Sequence, residues 1–208
     1  PETTSSWFPD LTVDREGRVH VVWCETDHLG AQNADPRKPF LGESVYYSVW
    51  DGQQWSQVND IVPPQQFIIR NAIAVDDYGV LNLLFDFSPS SGFNLYHKQA
   101  RTEEAFSAAA WTSPRLVNSS GNTYMSDIVL HQGAIHIVYD DRGAEEGECP
   151  GCADIFYRHS TDRGLAWSAP VNLSPSFSGS SRAQIEVDDA GTLYVAWDEG
   201  WDRRTGLG

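Results

Sequence analysis

The chain has 208 residues, with 14 Lys and Arg against 29 Asp and Glu, giving a formal net charge of -15 at pH 7. Such a surface repels a nucleic-acid backbone and no basic stripe offsets it, so nucleic acid is not an expected partner. Hydrophobic residues make up 40%, with 8 Trp, 8 Tyr and 9 Phe, enough for a folded core, and no run reaches the roughly 18 apolar residues that span a bilayer.

The N-terminus reads Pro1-Glu2-Thr3-Thr4-Ser5-Ser6, without Met or a signal-like apolar stretch, and is expected to be a mature or cut end. From there the chain repeats itself. Residues 11–23 read as strand, tight turn at Gly17, strand; Ser44 to Trp50 then turns at Asp51-Gly52 and returns through Trp55. Residues 73–85 repeat the first pattern around Gly79. Their outer hairpin is blurred by an insertion, Glu103 to Ala110, that predicts a short helical turn and closes at Trp111-Thr-Ser-Pro114. Residues 127–139 repeat it around Gly133, followed by Asp154 to Ser160 and a return through Trp167. Residues 185–197 repeat it once more around Gly191.

The turn glycines lie 62, 54 and 58 residues apart, and Trp55, Trp111 and Trp167 lie 56 apart. Positions two, four and six past each glycine are apolar, the period of a strand with one buried face, and the sixth is always aromatic: Trp23, Phe85, Tyr139, Trp197. A gap-free superposition of the four units places Asp127 at the register of Leu11, Ile73 and Ile185. One repeat is thus two hairpins, a four-stranded antiparallel sheet. Radial repetition of such sheets predicts an all-β fold, a β-propeller, rather than a two-layer sandwich. The blades are expected at about 7–62, 67–118 and 123–174, with a half blade at about 181–200, some 3.5 blades in all.

Ser160-Thr-Asp162-Arg-Gly164-Leu-Ala-Trp167 fits S-x-D-x-G-x-x-W and falls at the turn between the third and fourth strands of a blade. Asp162 would cap main-chain N–H groups, Gly164 would supply an unusual dihedral, and Trp167 would anchor the hairpin. The pattern resembles the Asp box of the bacterial neuraminidase (BNR) repeat shared by sialidases and related propellers. Ser48-Val-Trp-Asp51-Gly52-Gln-Gln-Trp55 is a degenerate copy with its Asp moved by one place. The resemblance implies a six-bladed whole, with the remaining blades supplied by the rest of the polypeptide or by another chain. It also implies a structural role on the blade periphery for Ser160, Asp162, Gly164 and Trp167.

Propeller ligands gather at one mouth of the central channel, near the starts of the innermost strands. Nine residues before each turn glycine stand Phe8, Arg70, Tyr124 and Arg182. The resemblance implies arginines clamping a sugar carboxylate, a tyrosine nucleophile paired with an acid, and an Asp as acid/base. A guanidinium suits a carboxylate because its planar fork donates two parallel hydrogen bonds. Arg70 and Arg182 are the candidate clamps, Tyr124 the candidate nucleophile, and Glu186 or Asp127 its partner. The family's Arg-Ile-Pro motif has no counterpart. The nearest segment, Trp7-Phe8-Pro9-Asp10, keeps the proline and carries Phe8 where an arginine would stand.

Cys149 and Cys152 form a Cys-Pro-Gly-Cys loop, read as a local disulfide or passive thiols in preference to a metal or redox pair, and Cys24 sits alone in an apolar run. Asp140-Asp141 through Glu145, Glu146 and Glu148 lack the spacing of a calcium loop and read as a solvated loop. His20 and His136, each three residues past its glycine, read as paired structural histidines between sheets. No cofactor or metal is expected. The resemblance implies an extracellular, cell-surface or periplasmic propeller that recognises a sialic-acid-like glycan, with exo-sialidase-type glycoside hydrolysis as its enzymatic form. The rival is a non-catalytic module binding glycan or protein.

Overall fold

Three of the turn glycines sit in the same kind of turn, opened each time by an aspartate. Asp14 Oδ1 accepts the N–H groups of Glu16 and Arg18, Asp76 Oδ1 those of Tyr78 and Val80, and Asp188 Oδ1 those of Ala190 and Thr192, all within 3.0 Å. The carboxylate thereby satisfies donors that no strand partner reaches. The third unit differs. Gln132 and Gly133 alone connect its strands, both at positive φ (49° and 82°), the geometry of a two-residue hairpin turn.

The computed structural model describes residues 4–27, 44–62, 68–88, 92–142, 152–175 and 178–200. Its strands form three four-stranded antiparallel sheets and one two-stranded sheet, each from consecutive segments. The first sheet is β1 (Thr4–Val13), β2 (Val19–Asp27), β3 (Ser44–Trp50) and β4 (Asn59–Val62). The second is β5 (Ile68–Val75), β6 (Val80–Phe87), β7 (Asn94–Arg101) and β8 (Arg115–Asn118), with a short 3-10 turn at Ala108–Ala110 where the insertion was expected to coil. The third is β9 (Thr123–His131), β10 (Ala134–Asp141), β11 (Asp154–Ser160) and β12 (Val171–Asn172); β13 (Gly179–Val187) and β14 (Leu193–Gly200) make the last hairpin. Inner strands β1, β5, β9 and β13 touch in succession. This is a β-propeller of three blades and a half.

The cores are the seams between blades. Val22, Val45 and Ile61 of the first sheet pack with Ile73, Leu81, Leu83 and Phe85 of the second. Leu84, Leu95 and Val117 pack with Ile128, Ile135, Ile137 and Tyr139 of the third, and Val138 and Ile155 pack with Ala183 and Ile185 of the last hairpin. Each fully buried aliphatic side chain contributes about 1.5–3 kcal/mol, so the seams hold the ring together.

In the three four-stranded sheets the aromatic six residues past the glycine stacks on its cross-strand neighbour: Trp23 on Tyr46, Phe85 on Tyr96, Tyr139 on Phe156, with centroids 5.8–6.0 Å apart. Phe85 and Tyr139 are buried, but Trp23 is half-buried and Trp197 exposed. The three outer tryptophans diverge more. Trp111 is 6% exposed and Trp55 52%, with Trp167 between them, so the common spacing does not give a common anchor.

His20 and His136 do not pair with each other. Each ring Nδ1 meets a tyrosine hydroxyl of its own sheet at 2.7 Å, Tyr47 and Tyr157 respectively. Asp140 and Asp141 are buried strand residues rather than part of a solvated loop, whose remaining acids lie outside the described residues. Cys152 is disulfide-bonded and Cys24 is free and buried; Cys149 lies outside the described residues.

Candidate functional site

Every inner strand breaks its ladder at the same height. β1 skips Phe8 and Pro9 between Trp7 and Asp10, β5 skips Ile69 and Arg70, β9 skips Met125, and β13 skips Arg182 and Ala183. Phe8, Met125 and Arg182 carry positive φ (50°, 42° and 59°), which non-glycine residues adopt only where the fold over-determines them.

Just past the bulges, Asp10, Ala72, Asp127 and Gln184 pair with Val22, Leu84, Val138 and Ala196, each five residues beyond its turn glycine. They are therefore equivalent. The gap-free superposition of the units slips by one residue in the third, because its turn is one residue shorter. Asp127 corresponds to Asp10, and the ring Phe8, Arg70, Tyr124, Arg182 becomes Phe8, Arg70, Met125, Arg182. The sequence carried a signal: Asp14, Asp76 and Asp188 stand three before their glycines, where the third unit has Leu130.

A cavity of about 350 Å³ opens here, lined by Phe8, Pro9, Asp10, Arg70, Asn71, Ala72, Asp127 and Gln184. Arg70 donates from Nη1 to Met125 Sδ at 3.1 Å, and its guanidinium lies 5.9 Å from the Phe8 ring centre. Asp10 Oδ2 accepts the Ile73 N–H at 2.7 Å and Asp10 Oδ1 the Leu11 N–H at 2.9 Å; Asp127 Oδ2 accepts the Ile185 N–H at 2.9 Å. The two aspartates thus clasp neighbouring blades while facing one cavity.

Burial pushes the Asp127 carboxyl up to about 6, and the charge of Asp10 adds to the rise against the Ile185 and Ile128 N–H groups and Arg70. Asp10 is raised for the same first reason, against its backbone donors and Arg70. Behind the β5 bulge, Asp86 is fully buried with no hydrogen-bond partner on either oxygen. Burial, then the charge of Asp140, lifts its carboxyl well above the usual range, against Arg70. Cys24, bonded by Asn71 Nδ2 at 2.9 Å, is pushed up by burial to about 12, so it is an inert thiol.

Of the catalytic candidates read from sequence, Arg70 and Asp127 share this cavity, together with Phe8 of the same ring, whereas Tyr124, Arg182 and Glu186 do not line it. Arg182, half exposed, donates from Nε to Asp198 Oδ2 at 2.5 Å. Tyr124 packs against Phe93 at 5.5 Å, with the Arg142 guanidinium 5.3 Å over its ring. Glu186 is exposed on β13. The slipped register hid that Asp10 is the equivalent of Asp127, and Gln184 lines the cavity at the same height. No cluster of three or more metal-ligating side chains exists among the described residues.

Far from the mouth, Asp162 caps its turn as its spacing suggested. Its Oδ1 accepts from the Ser160 hydroxyl at 2.8 Å and from the N–H groups of Leu165 and Ala166 at 3.1 and 2.9 Å, and the Gly164 N–H donates to Ser160 Oγ at 2.8 Å. The Ala166 N–H, then Ser160, holds the Asp162 carboxyl below the ordinary range. Trp167 meets His97 edge-on at 5.7 Å.

Comparison with solved structures supports the same architecture. The chain is similar to a protein of unknown function from Dyadobacter fermentans (TM-score 0.73, 13% identity, 96% of this chain and 64% of that one). It is also similar to the α-L-arabinanase of Penicillium chrysogenum solved with arabinobiose (TM-score 0.64, 10% identity, 93% and 57%). A third is the NanB sialidase of Streptococcus pneumoniae (TM-score 0.56, 10% identity, 90% and 26%). The chain spans 57–64% of the length of the first solved structures it matches. No protein-family model matches it, and no curated protein does.

Proposed function

We propose that this chain is the glycan-recognising part of an extracytoplasmic, carbohydrate-active propeller, with the sugar seated at the mouth lined by Phe8, Asp10, Arg70, Asp127 and Gln184. The observation that carries this is the pair of half-buried carboxylates, Asp10 and Asp127, facing one cavity with a guanidinium and an aromatic ring beside them. Carboxylates, amide and guanidinium exchange hydrogen bonds with hydroxyls, and the Phe8 ring takes the apolar face of a sugar. The likeness to an arabinanase and a sialidase supports a sugar ligand. The bonded state of Cys152 supports an oxidising compartment. No described helix is long and apolar enough to cross a membrane.

The enzymatic form of this reading is glycoside hydrolysis. Asp127, protonated up to about pH 6, would donate its proton to the leaving oxygen, and Asp10 would take a proton from the water whose oxygen forms the new bond to the anomeric carbon. The exo-sialidase version would need Arg70 and Arg182 to converge on one carboxylate beside Tyr124; Arg70 at the cavity favours it, the Arg182–Asp198 bond does not. A non-catalytic binding module is favoured by the backbone N–H groups that already occupy Asp10 and Asp127.

The test is a panel of fluorogenic glycosides, a sialoside among them, with glycan binding followed in parallel. Turnover lost in Asp127→Asn, with folding intact by circular dichroism, supports hydrolysis. Binding without turnover, weakened at least about tenfold in Arg70→Ala, supports the module. No glycan bound and none cleaved sinks the proposal.

A further inference from the structure

We infer that this mouth takes an uncharged sugar and turns away sugars that carry a carboxylate. The inference rests on the mouth being the glycan site and adds the substrate class.

The charges at the cavity decide it. Among the described residues lining it, Arg70 is the one basic side chain, and it faces two acids, Asp10 and Asp127. Part of its guanidinium is engaged, with Nη1 on Met125 Sδ at 3.1 Å and the planar group near the Phe8 ring. A carboxylate clamp works through a fork whose two parallel N–H groups are free to point at one anion. The other two arginines near the strand starts are also engaged: Arg182 on Asp198 at 2.5 Å, Arg142 over the Tyr124 ring at 5.3 Å.

The chain as a whole carries a net charge of -15. An arriving carboxylate therefore meets two acids at contact range and an unfavourable field at long range, with one shared guanidinium to offset them. A neutral sugar meets none of that cost. Its hydroxyls donate to Asp10 and Asp127 and accept from Arg70 and the Gln184 amide, while Phe8, Pro9 and Ala72 receive its C–H face. The same polar set thus rewards hydroxyls and penalises a further anion.

The experiment compares matched pairs of probes that differ by a carboxylate, galactobiose against digalacturonic acid and lactose against 3′-sialyllactose, with arabinobiose as a further neutral probe. Binding to the full chain is followed by saturation-transfer NMR and isothermal titration at pH 7.5. The expected result is binding of at least one neutral probe, with any carboxylated partner weaker by about tenfold or more, the gap shrinking at high salt. In Asp10→Asn the gap narrows, because one of the two repelling charges is gone.

Equal or tighter binding of a carboxylated probe at this mouth overturns the inference and leaves the glycan site standing. A gap unchanged in Asp10→Asn and in Asp127→Asn overturns it too, since charge would not be its cause. If neither neutral nor carboxylated probes bind, the glycan site itself falls, and the inference with it.

Discussion

The carboxylate of Asp127 accepts the main-chain N–H of Ile185 at 2.9 Å, across the seam between the third blade and the last hairpin. Asp10 does the same for Ile73 at 2.7 Å between the first and second blades. Removing the acceptor strands a partly buried N–H, which costs about 1–3 kcal/mol. Asp127→Ala should show that full loss in urea unfolding at pH 5, where the carboxyl is largely neutral. At pH 8 the loss should shrink, because deletion then also relieves a poorly solvated charge. An equal loss at both values would remove burial as the cause of the raised carboxyl.

Stability should fall as pH rises from about 4 to 6. Native Asp127 holds its proton up to about 6, while the unfolded side chain releases it near 3.8. The native state therefore binds more protons in that window, and unfolding becomes easier as they leave. Asp10 acts in the same direction and Asp86 carries it higher. Asp14 works the opposite way lower down. Burial raises it, but bonds from His20 and Arg18 win and hold it at about 2, so its contribution is present above about 4 and lost as pH falls. Melting curves from pH 3 to 8 should show a maximum near pH 4 and a shallower alkaline slope in Asp127→Asn.

Gly164 and Gly133 separate dihedral from contact. Both have positive φ, 73° and 82°. A Cβ on Gly133 meets nothing within 4 Å, whereas one on Gly164 would lie 2.4 Å from His97 Nδ1. Gly133→Ala should cost about 1–2 kcal/mol from the backbone alone. Gly164→Ala should cost clearly more and disturb the Trp167 packing on His97. Similar losses in thermal unfolding would show that the His97 ring moves aside freely.

The three outer tryptophans should rank by burial. Trp111→Ala, which empties a core site and deletes the bond from Nε1 to the Ala105 carbonyl at 2.9 Å, should cost about 3–5 kcal/mol. Trp55→Ala, at a half-exposed turn, should cost less than about 1 kcal/mol. Trp167→Ala should fall between. Guanidinium unfolding of the three variants tests the order, and a costly Trp55→Ala contradicts it.

The blades were legible because hairpins are local: period two, turn aspartates and turn glycines all act within a dozen residues. The seams were legible only in part. That Phe85 and Tyr139 are buried while Trp197 is exposed depends on which sheets stand beside them, which no local pattern encodes. The site suffered most from a single shortened turn. Gln132-Gly133 moved Asp127 into the register of Asp10 and put Met125 rather than Tyr124 beside Arg70. Residue types alone suggested an arginine ring, and the ion pair that engages Arg182 comes from β14, sixteen residues away.

Among the described residues every strand pairs with a strand next to it along the chain, and sheets are joined along the backbone by isolated bonds, such as the Thr123 N–H to the Phe93 carbonyl at 3.0 Å, rather than by a ladder. Pulled by its ends in a single-molecule experiment, the protein should therefore yield in steps of about one blade each, with the rupture force set by side-chain clasps such as Lys98 Nζ on the Ile61 carbonyl rather than by backbone zippers.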